Sequence, residues 1–466
     1  MESNSLALTR RGFLRTGALG AGALLAGASL GRAYGAPAIQ EGRRPNVLML
    51  FTDQQGLDTV SACGCPDART PNIDRLAGRG VSFMESHSAD PLCSPGRSSI
   101  ITGRMPSETG VITNGLAVRA SIPNLGQWLG QNGYESVWAG KWHIPASYTF
   151  SIPGFKVIST GIGGQGETCD ATVSRACEAY LRNRSASRNK PFYMVASFLQ
   201  PHDICQFISA HAGAPDVVPF KDITNELPPL PPNHQYDPCE PRALAKKARL
   251  KWSEQQWRYY LWSYYRMVEM ADAEIGRILQ ALEDCGELDN TLVFLTADHG
   301  EGRGRHKMVT KNFLYDEAVK VPMIVSFPGH AQAGARDTKH LVSGTDVVKT
   351  VCDYTGVAAP PRVLGASMRP LLEGKAAEWH EFIAAEVTTT GRMIRTPDYK
   401  LIAYYGDPVE QLFDMKNDPG ETKNLAPDSK FVSILEDHHK LLKQWEAKLD
   451  LAPKAAEALK KAPKKA

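Results

Sequence analysis

The chain lacks the marks of a fibrous, repetitive or membrane-spanning protein. No internal repeat, heptad pattern or collagen-like glycine period runs through its 466 residues, and no stretch has the composition of extended disorder. No Gly/Ser-rich linker divides it. The one sustained apolar run near the start, about Ala18 to Leu30, is Gly/Ala-rich and too short for a permanent span. An excess of one charge is missing too. The 53 Lys and Arg nearly match the 50 Asp and Glu. The first 38 residues hold four arginines and one glutamate, so they account for the whole net charge of +3 and leave the rest balanced. Nucleic-acid binding rests on a surplus of positive charge, so no nucleic-acid partner is expected. Cysteines are few, nine in all, and Cys63-Gly64-Cys65 has no second pair at zinc-site spacing.

What is present begins with Thr9-Arg10-Arg11-Gly12-Phe13-Leu14-Arg15, which resembles a twin-arginine export signal. Ala36-Pro37-Ala38 fits a cleavage site, with Ala33-Tyr34-Gly35 as the alternative. Residues 1–38 are therefore read as a signal peptide and set aside. The expectation is export through the Tat translocase to the periplasm or beyond, with no stable membrane span. At the other end, residues 451–466 read as a basic tail; Lys454 to Ala466 holds five lysines and one glutamate, the pattern of a solvated, fraying end.

Between them, Pro45 to Gln54 is a continuous apolar run closed by polar residues, the pattern of a strand buried on both faces of a parallel sheet. Pro191 to Leu199, Thr291 to Thr296 and Val321 to Phe327 repeat it, and Val81 to Phe83 and Tyr134 to Ala139 are further strands. Helices are expected over Pro71–Ala77, Leu125–Gly130 and Gln256–Leu282. Alternating strands and helices predict an α/β domain over residues 39–372: a large, mainly parallel sheet flanked by helices. Pro215 to Pro241 is Pro-rich and read as a surface excursion. Short strands at 382–387, 391–396, 399–405 and 411–413, then a helix from about Phe431 to Leu449, predict a smaller C-terminal antiparallel subdomain over 373–450.

The polar residues of interest stand at the carboxyl ends of the expected strands: Asp53 and Gln54, His202, Asp298 and His299. In open α/β sheets that edge forms the binding crevice. A single strand-end Asp is commonly a turn former or cap; several strands ending alike point to one cleft.

One stretch is more specific. Cys93-Ser94-Pro95-Gly96-Arg97 reads C-x-P-x-R and is followed by Thr102-Gly103-Arg104. It could open a short helix with residue 93 near its N-terminus, where free N–H groups and the dipole favour an anion. Gly133-Tyr134-Glu135-Ser136 … Gly140-Lys141-Trp142-His143 reads G-Y-x-[ST]-x-x-x-G-K-x-H. Together with Thr70-Pro71-Asn72, Pro201-His202, Ala297-Asp298-His299-Gly300-Glu301, the Tyr315–Pro322 stretch and the ending Leu412-Phe413-Asp414 … Asn424-Leu425, these resemble the type I sulfatases of the alkaline phosphatase superfamily, over most of the chain.

That resemblance implies a sulfuric ester hydrolase. Cys93 would be oxidised to formylglycine by a formylglycine-generating enzyme, acting before folding buries the residue. One hydroxyl of the hydrated aldehyde attacks sulfur and the other later expels sulfate. Asp53, Gln54, residue 93, Asp298 and His299 would surround one divalent cation, calcium by its hard oxygen ligands. Gln54 and His299 depart from the commoner Asp and Asn. Phosphonate monoester hydrolases resemble this set, which makes manganese the alternative ion and a phosphonate or phosphate ester hydrolase the rival function. Arg97 would hold the aldehyde hydrate; Lys141, His202, His306 and Lys311 would line the substrate site. His143 would help deprotonate the second hydroxyl, and His202 or Lys311 would protonate the leaving oxygen. The substrate class implied is a sulfated carbohydrate; the Leu92–Gly110 region and the Asp53-Gln54 pair also resemble choline sulfatases, and a sulfated small molecule is the alternative.

Overall fold

A computed structural model describes residues 43–162, 165–184, 190–213, 221–235, 239–245 and 250–462. The expected signal peptide and parts of the Pro215–Pro241 excursion lie outside them. Ile39–Ala466 is one compact unit.

An eight-stranded sheet runs in the order Lys156–Ser159, Glu135–Gly140, Phe192–Pro201, Asn46–Asp53, Thr291–Ala297, Met323–Ser326, Val81–Phe83, Ala335–Asp337. All neighbours are parallel except Met323–Ser326, which runs antiparallel to both of its own. The expected α/β class is therefore present. Every residue of Asn46–Asp53 is buried, because helices cover both sheet faces. Val47, Met49 and Phe51 point to one side, against Ile100, Ile101, Leu125, Leu129 and Val347. Leu48 and Leu50 point to the other, against Val173, Cys177, Leu181, Ile275 and Leu279. This is the period-2 alternation of a strand with two apolar faces; each such side chain is worth roughly 1.5–3 kcal/mol of burial.

The long helix is Glu254–Asp284, started by Ser253, whose side chain accepts from the Gln256 N–H at 3.2 Å. Gly166–Asn183 and Asp346–Thr355 are among the helices that escaped the sequence reading. In Gly166–Asn183, Cys169, Val173, Cys177 and Leu181 form a buried i, i+4 stripe. Asp346–Thr355 buries Val347, Val348, Val351 and Cys352.

A separate four-stranded antiparallel sheet follows: Ile383–Val387, Gly391–Arg395, Tyr399–Tyr404 and Gln411–Asp414. Its buried Lys400 binds Asp316 and Glu421, each at 2.7 Å. The helix Val432–Glu446 comes next. The expectation of a fraying tail needs correction. Pro453–Lys461 is a helix, opened by Pro453 at a position where a missing N–H costs nothing. Ala455 is fully buried, and the Ala452 N–H donates to the Ser107 carbonyl at 2.8 Å. The lysines occupy the outer face; the small apolar residues dock. The Pro215–Pro241 segment is also tied down where it is described: the buried Asn233 donates to the Gly420 carbonyl at 2.9 Å and accepts from the His306 N–H at 2.7 Å.

Candidate active site

The sheet order brings the strand ends together. Asn46–Asp53 lies between Phe192–Pro201 and Thr291–Ala297, and the chain passes to opposite sides of it, which makes its carboxyl end a switch point. Asp53 is level with Pro201, Thr52 with Ala297, and Gly140 with Ser197. Asp53, Gln54, His202, Asp298, His299 and Lys141 therefore leave the sheet along one edge.

Cys93 is the first residue of the helix Cys93–Thr102. Its Sγ lies 3.3 Å from His299 Nε2 and 3.9 Å from Asp53 Oδ1. Gly96 permits the approach: a Cβ there would stand 2.6 Å from the Asp298 carbonyl oxygen and 2.9 Å from that of Asp90. Both obstacles are backbone and cannot step aside. Gly96→Ala is expected to cost about 1–3 kcal/mol of stability, as overpacking does, and to lower kcat/KM by displacing residue 93 from His299. Thermal denaturation beside steady-state kinetics checks it; unchanged values in both would show that the contact tolerates a methyl group.

Beneath Cys93 lies Arg97, 1% exposed. Its Nε donates to Asp298 Oδ2 at 2.8 Å and one terminal nitrogen to Asp53 Oδ2 at 2.9 Å. The other donates to Ser197 Oγ at 2.8 Å and the Lys141 carbonyl at 3.0 Å. Lys141 Nζ stands 2.6 Å from Asp53 Oδ2. Burial would raise the Asp53 carboxyl, but Lys141, His202, Arg97 and Lys311 outweigh it and hold it well below the usual range. Asp298 is raised, by burial and by the nearby Asp53 charge. At Cys93 burial and Asp53 oppose ionisation, yet Lys311, Lys141 and His299 prevail and the thiol is pulled well below its ordinary value. Lys311, Lys141 and His299 thus favour an anion at residue 93. Lys311 loses some basicity to burial but more than regains it from Cys93 and Asp53, and stays an ammonium.

His299 Nδ1 faces the Gly300 carbonyl at 2.8 Å, an acceptor only, so Nδ1 carries a proton and Nε2 is turned to Cys93. Burial depresses His299, but Asp298 more than restores it. His143 has a left-handed backbone, φ 65°. Its carbonyl accepts from the Ser94 hydroxyl, which ties the Lys141–His143 turn to the start of the Cys93 helix. Its Nδ1 is buried and makes no hydrogen bond among the described residues. His202 is half-buried, near enough to Asp53 to act on its carboxyl.

His306 does not join this group, contrary to the expectation from the resemblance. Its ring is fully buried, stacked on Tyr315 with centroids 4.2 Å apart. Nδ1 donates to Glu317 at 2.7 Å and Nε2 to the Glu421 carbonyl at 3.0 Å. Burial works against a charged ring, but Glu317 raises it to about 9. Both nitrogens are consumed, Nδ1 in an ion pair with Glu317 and Nε2 on the Glu421 backbone carbonyl.

The sequence reading also missed Ser197 and Glu301 as members of the site. Ser197 carries no motif signal. Glu301 stood inside the Asp298-His299-Gly300-Glu301 stretch, but nothing local marks it as buried against Gln54.

The residues fit a divalent cation. One ligand atom each from Asp53, Cys93, Asp298 and His299 lie within 4.8 Å of one another, all four buried. Two buried carboxylates and an imidazole gather at residue 93, and Gln54 adjoins them, its backbone N–H donating to Asp298 Oδ1 at 3.0 Å; carboxylate oxygens suit a hard cation.

A doubly covered α/β sheet thus gathers a buried cysteine, a cluster that fits a cation and two lysines at its carboxyl edge, groups suited to a charged ligand. The family model described as Sulfatase matches residues 45–357, and that of N-sulphoglucosamine sulphohydrolase, C-terminal, matches 304–448. The chain belongs to the sulfatase family, within the alkaline phosphatase superfamily, and is an enzyme of that class. It is 34% identical, over 89% of its length and 92% of the relative's, to a Delta 4,5-hexuronate-2-O-sulfatase of Bacteroides thetaiotaomicron. Its fold is similar to the solved structure of a 2-O GAG sulfatase, with TM-score 0.78, 30% identity and coverage of 89% and 96%. A phosphonate monoester hydrolase of Agrobacterium radiobacter shares the fold at TM-score 0.74 and 23% identity, with coverage of 87% and 96%.

Proposed function

We propose that this chain hydrolyses a sulfate ester on a saccharide, using Cys93 converted to formylglycine. One observation carries the reading: position 93 opens a helix among Asp53, Asp298 and His299, in a pocket whose cations pull even a thiol toward its anion. The hydroxyl of the hydrated residue stands where Sγ does and attacks sulfur. Lys141 and Lys311 hold sulfate oxygens as fixed ammonium charges. The acid that protonates the leaving alcohol is His202 or Lys311. His143 offers its free nitrogen to the second hydroxyl and takes its proton as sulfate departs. A cation held by Asp53, Gln54, Asp298 and His299, calcium before manganese, supplies Lewis-acid polarisation of a sulfate oxygen.

The substrate class follows the relatives: a sulfated carbohydrate, with a 2-O-sulfated unsaturated hexuronate disaccharide first. Modification by a formylglycine-generating enzyme and twin-arginine export to the periplasm or beyond belong to the same proposal. The test is a panel comprising that disaccharide, a 6-O-sulfated glucosamine, choline sulfate and an aryl phosphonate monoester. Highest kcat/KM on a sulfated sugar supports the reading; highest on the phosphonate replaces it with the rival hydrolase.

Chelation gives a separate check. Protein stripped of divalent ions is expected to lose activity by about 100-fold or more, with recovery on adding calcium. Full activity in protein shown to be ion-free by elemental analysis would refute the cation's role.

A further inference from the structure

We infer that Glu301 is a positioning residue: its carboxylate sets which way the Gln54 amide points and, through the backbone of Thr310, seats Lys311. The inference rests on the reading of Asp53, Gln54, Asp298 and His299 as a cation site.

Glu301 is fully buried two residues beyond His299, and its N–H donates to the Glu317 carbonyl at 2.9 Å. Three donors converge on its side chain. Gln54 Nε2 donates to Oε2; the Tyr260 hydroxyl and the Thr310 backbone N–H donate to Oε1. A carboxylate can only accept, so the end of the Gln54 amide that faces it is the NH2. The carbonyl oxygen is turned to the opposite side, where it accepts from Lys311 Nζ. An ammonium can only donate. The two neighbours thus select the same orientation independently; the flipped amide would set oxygen against carboxylate and NH2 against ammonium. The selected orientation turns the one atom of the amide able to bind a cation away from Glu301 and toward the Lys311 ammonium.

Backbone geometry makes the same residues costly to hold without help. Gln54 and Thr310 both have left-handed backbones, φ 69° and 67°, which side-chain-bearing residues adopt rarely and only when surroundings enforce it. Glu301 touches both, one through its side chain and one through its N–H. The long helix adds a second clamp from Tyr264, whose hydroxyl donates to the Gln54 carbonyl at 2.6 Å.

The test is a double-mutant cycle read by calcium titration into chelator-stripped, folded protein. In E301Q one acceptor oxygen becomes a donor where three donors already meet, and Gln54 must flip or withdraw. Calcium affinity is expected to fall about 10–100-fold, the usual effect of losing a residue that orients a ligand, and kcat/KM to fall with it. In a Q54A background the same change is expected to shift calcium affinity less than about two-fold, since its target is gone. Unaltered affinity in E301Q, or an equal further loss on top of Q54A, overturns the inference and leaves the cation site standing. A wild-type chain that takes up no calcium or manganese defeats the cation site itself, and the inference with it. Should E301Q fail to fold, E301D serves in the same cycle: it keeps both acceptor oxygens but draws them back by one methylene, and an intermediate loss confined to the Gln54 background is expected.

Discussion

Cys93→Ala is expected to lower kcat by about 10,000-fold or more, the scale on which loss of a covalent nucleophile registers, while the protein stays folded. The side chain is small and sits at the start of its helix, so little packing is lost. Cys93→Ser separates attack from release. A serine keeps one hydroxyl that can attack sulfur but has no second hydroxyl on the same carbon to expel the sulfate. It is expected to release at most one equivalent of alcohol per protein and then stop, with the protein heavier by one sulfuryl group. Steady turnover by either variant would remove residue 93 from the chemistry. A natively matured wild-type protein that keeps its thiol and shows no turnover would instead indicate a binding protein that retains the pocket.

Arg97→Ala carries the second large effect, on stability as well as rate. The guanidinium is the direct partner of two buried carboxylates, at 2.8 Å from Asp298 and 2.9 Å from Asp53, and lies over the Phe51 ring with 4.6 Å to the centroid. Its removal takes the guanidinium partner from Asp298, leaves Asp53 to Lys141, and opens a void. Breaking a buried pair by deleting one partner costs about 3–5 kcal/mol. Activity is expected to fall at least 100-fold, as when a preorganised donor is lost. Calcium should restore part of the stability, because an ion bound only by the folded state stabilises it by mass action. Arg97→Lys should rescue little: a single ammonium cannot span both carboxylates, Ser197 and the Lys141 carbonyl at once. Urea denaturation with and without calcium tests this; an unmoved midpoint in Arg97→Ala would contradict the ion-pair reading.

Much of this was legible in the chain because burial on two faces writes itself plainly. Asn46–Asp53 and Thr291–Ala297 are runs of apolar residues closed by polar ones, and the polar ends mark the cleft. Strand direction leaves no such trace, so the antiparallel placement of Met323–Ser326 was not foreseeable. Nor were the short strands Lys156–Ser159 and Ala335–Asp337, which lie at the sheet's edges and are partly exposed. The Gly166–Asn183 helix did carry a signal, an apolar residue every fourth position, hidden by polar and small residues between. The C-terminal lysines concealed a docking helix because charge counts ignore which face carries the charge. The resemblance put Lys311 in the substrate site but misassigned His306, whose partners Glu317 and Glu421 lie 11 and 115 residues away. Glu301 escaped for a like reason: Gln54 and Tyr260 lie 247 and 41 residues away, and no local pattern reports a contact of that range.

The most direct measurement is the mass of the tryptic peptide that contains residue 93, taken from protein matured in a host with the modifying enzyme and active on a sulfated sugar. Conversion of the thiol to an aldehyde makes the peptide about 18 Da lighter, and the aldehyde should be captured by a hydrazine reagent. Active protein whose peptide keeps the full cysteine mass and resists hydrazine would contradict the account.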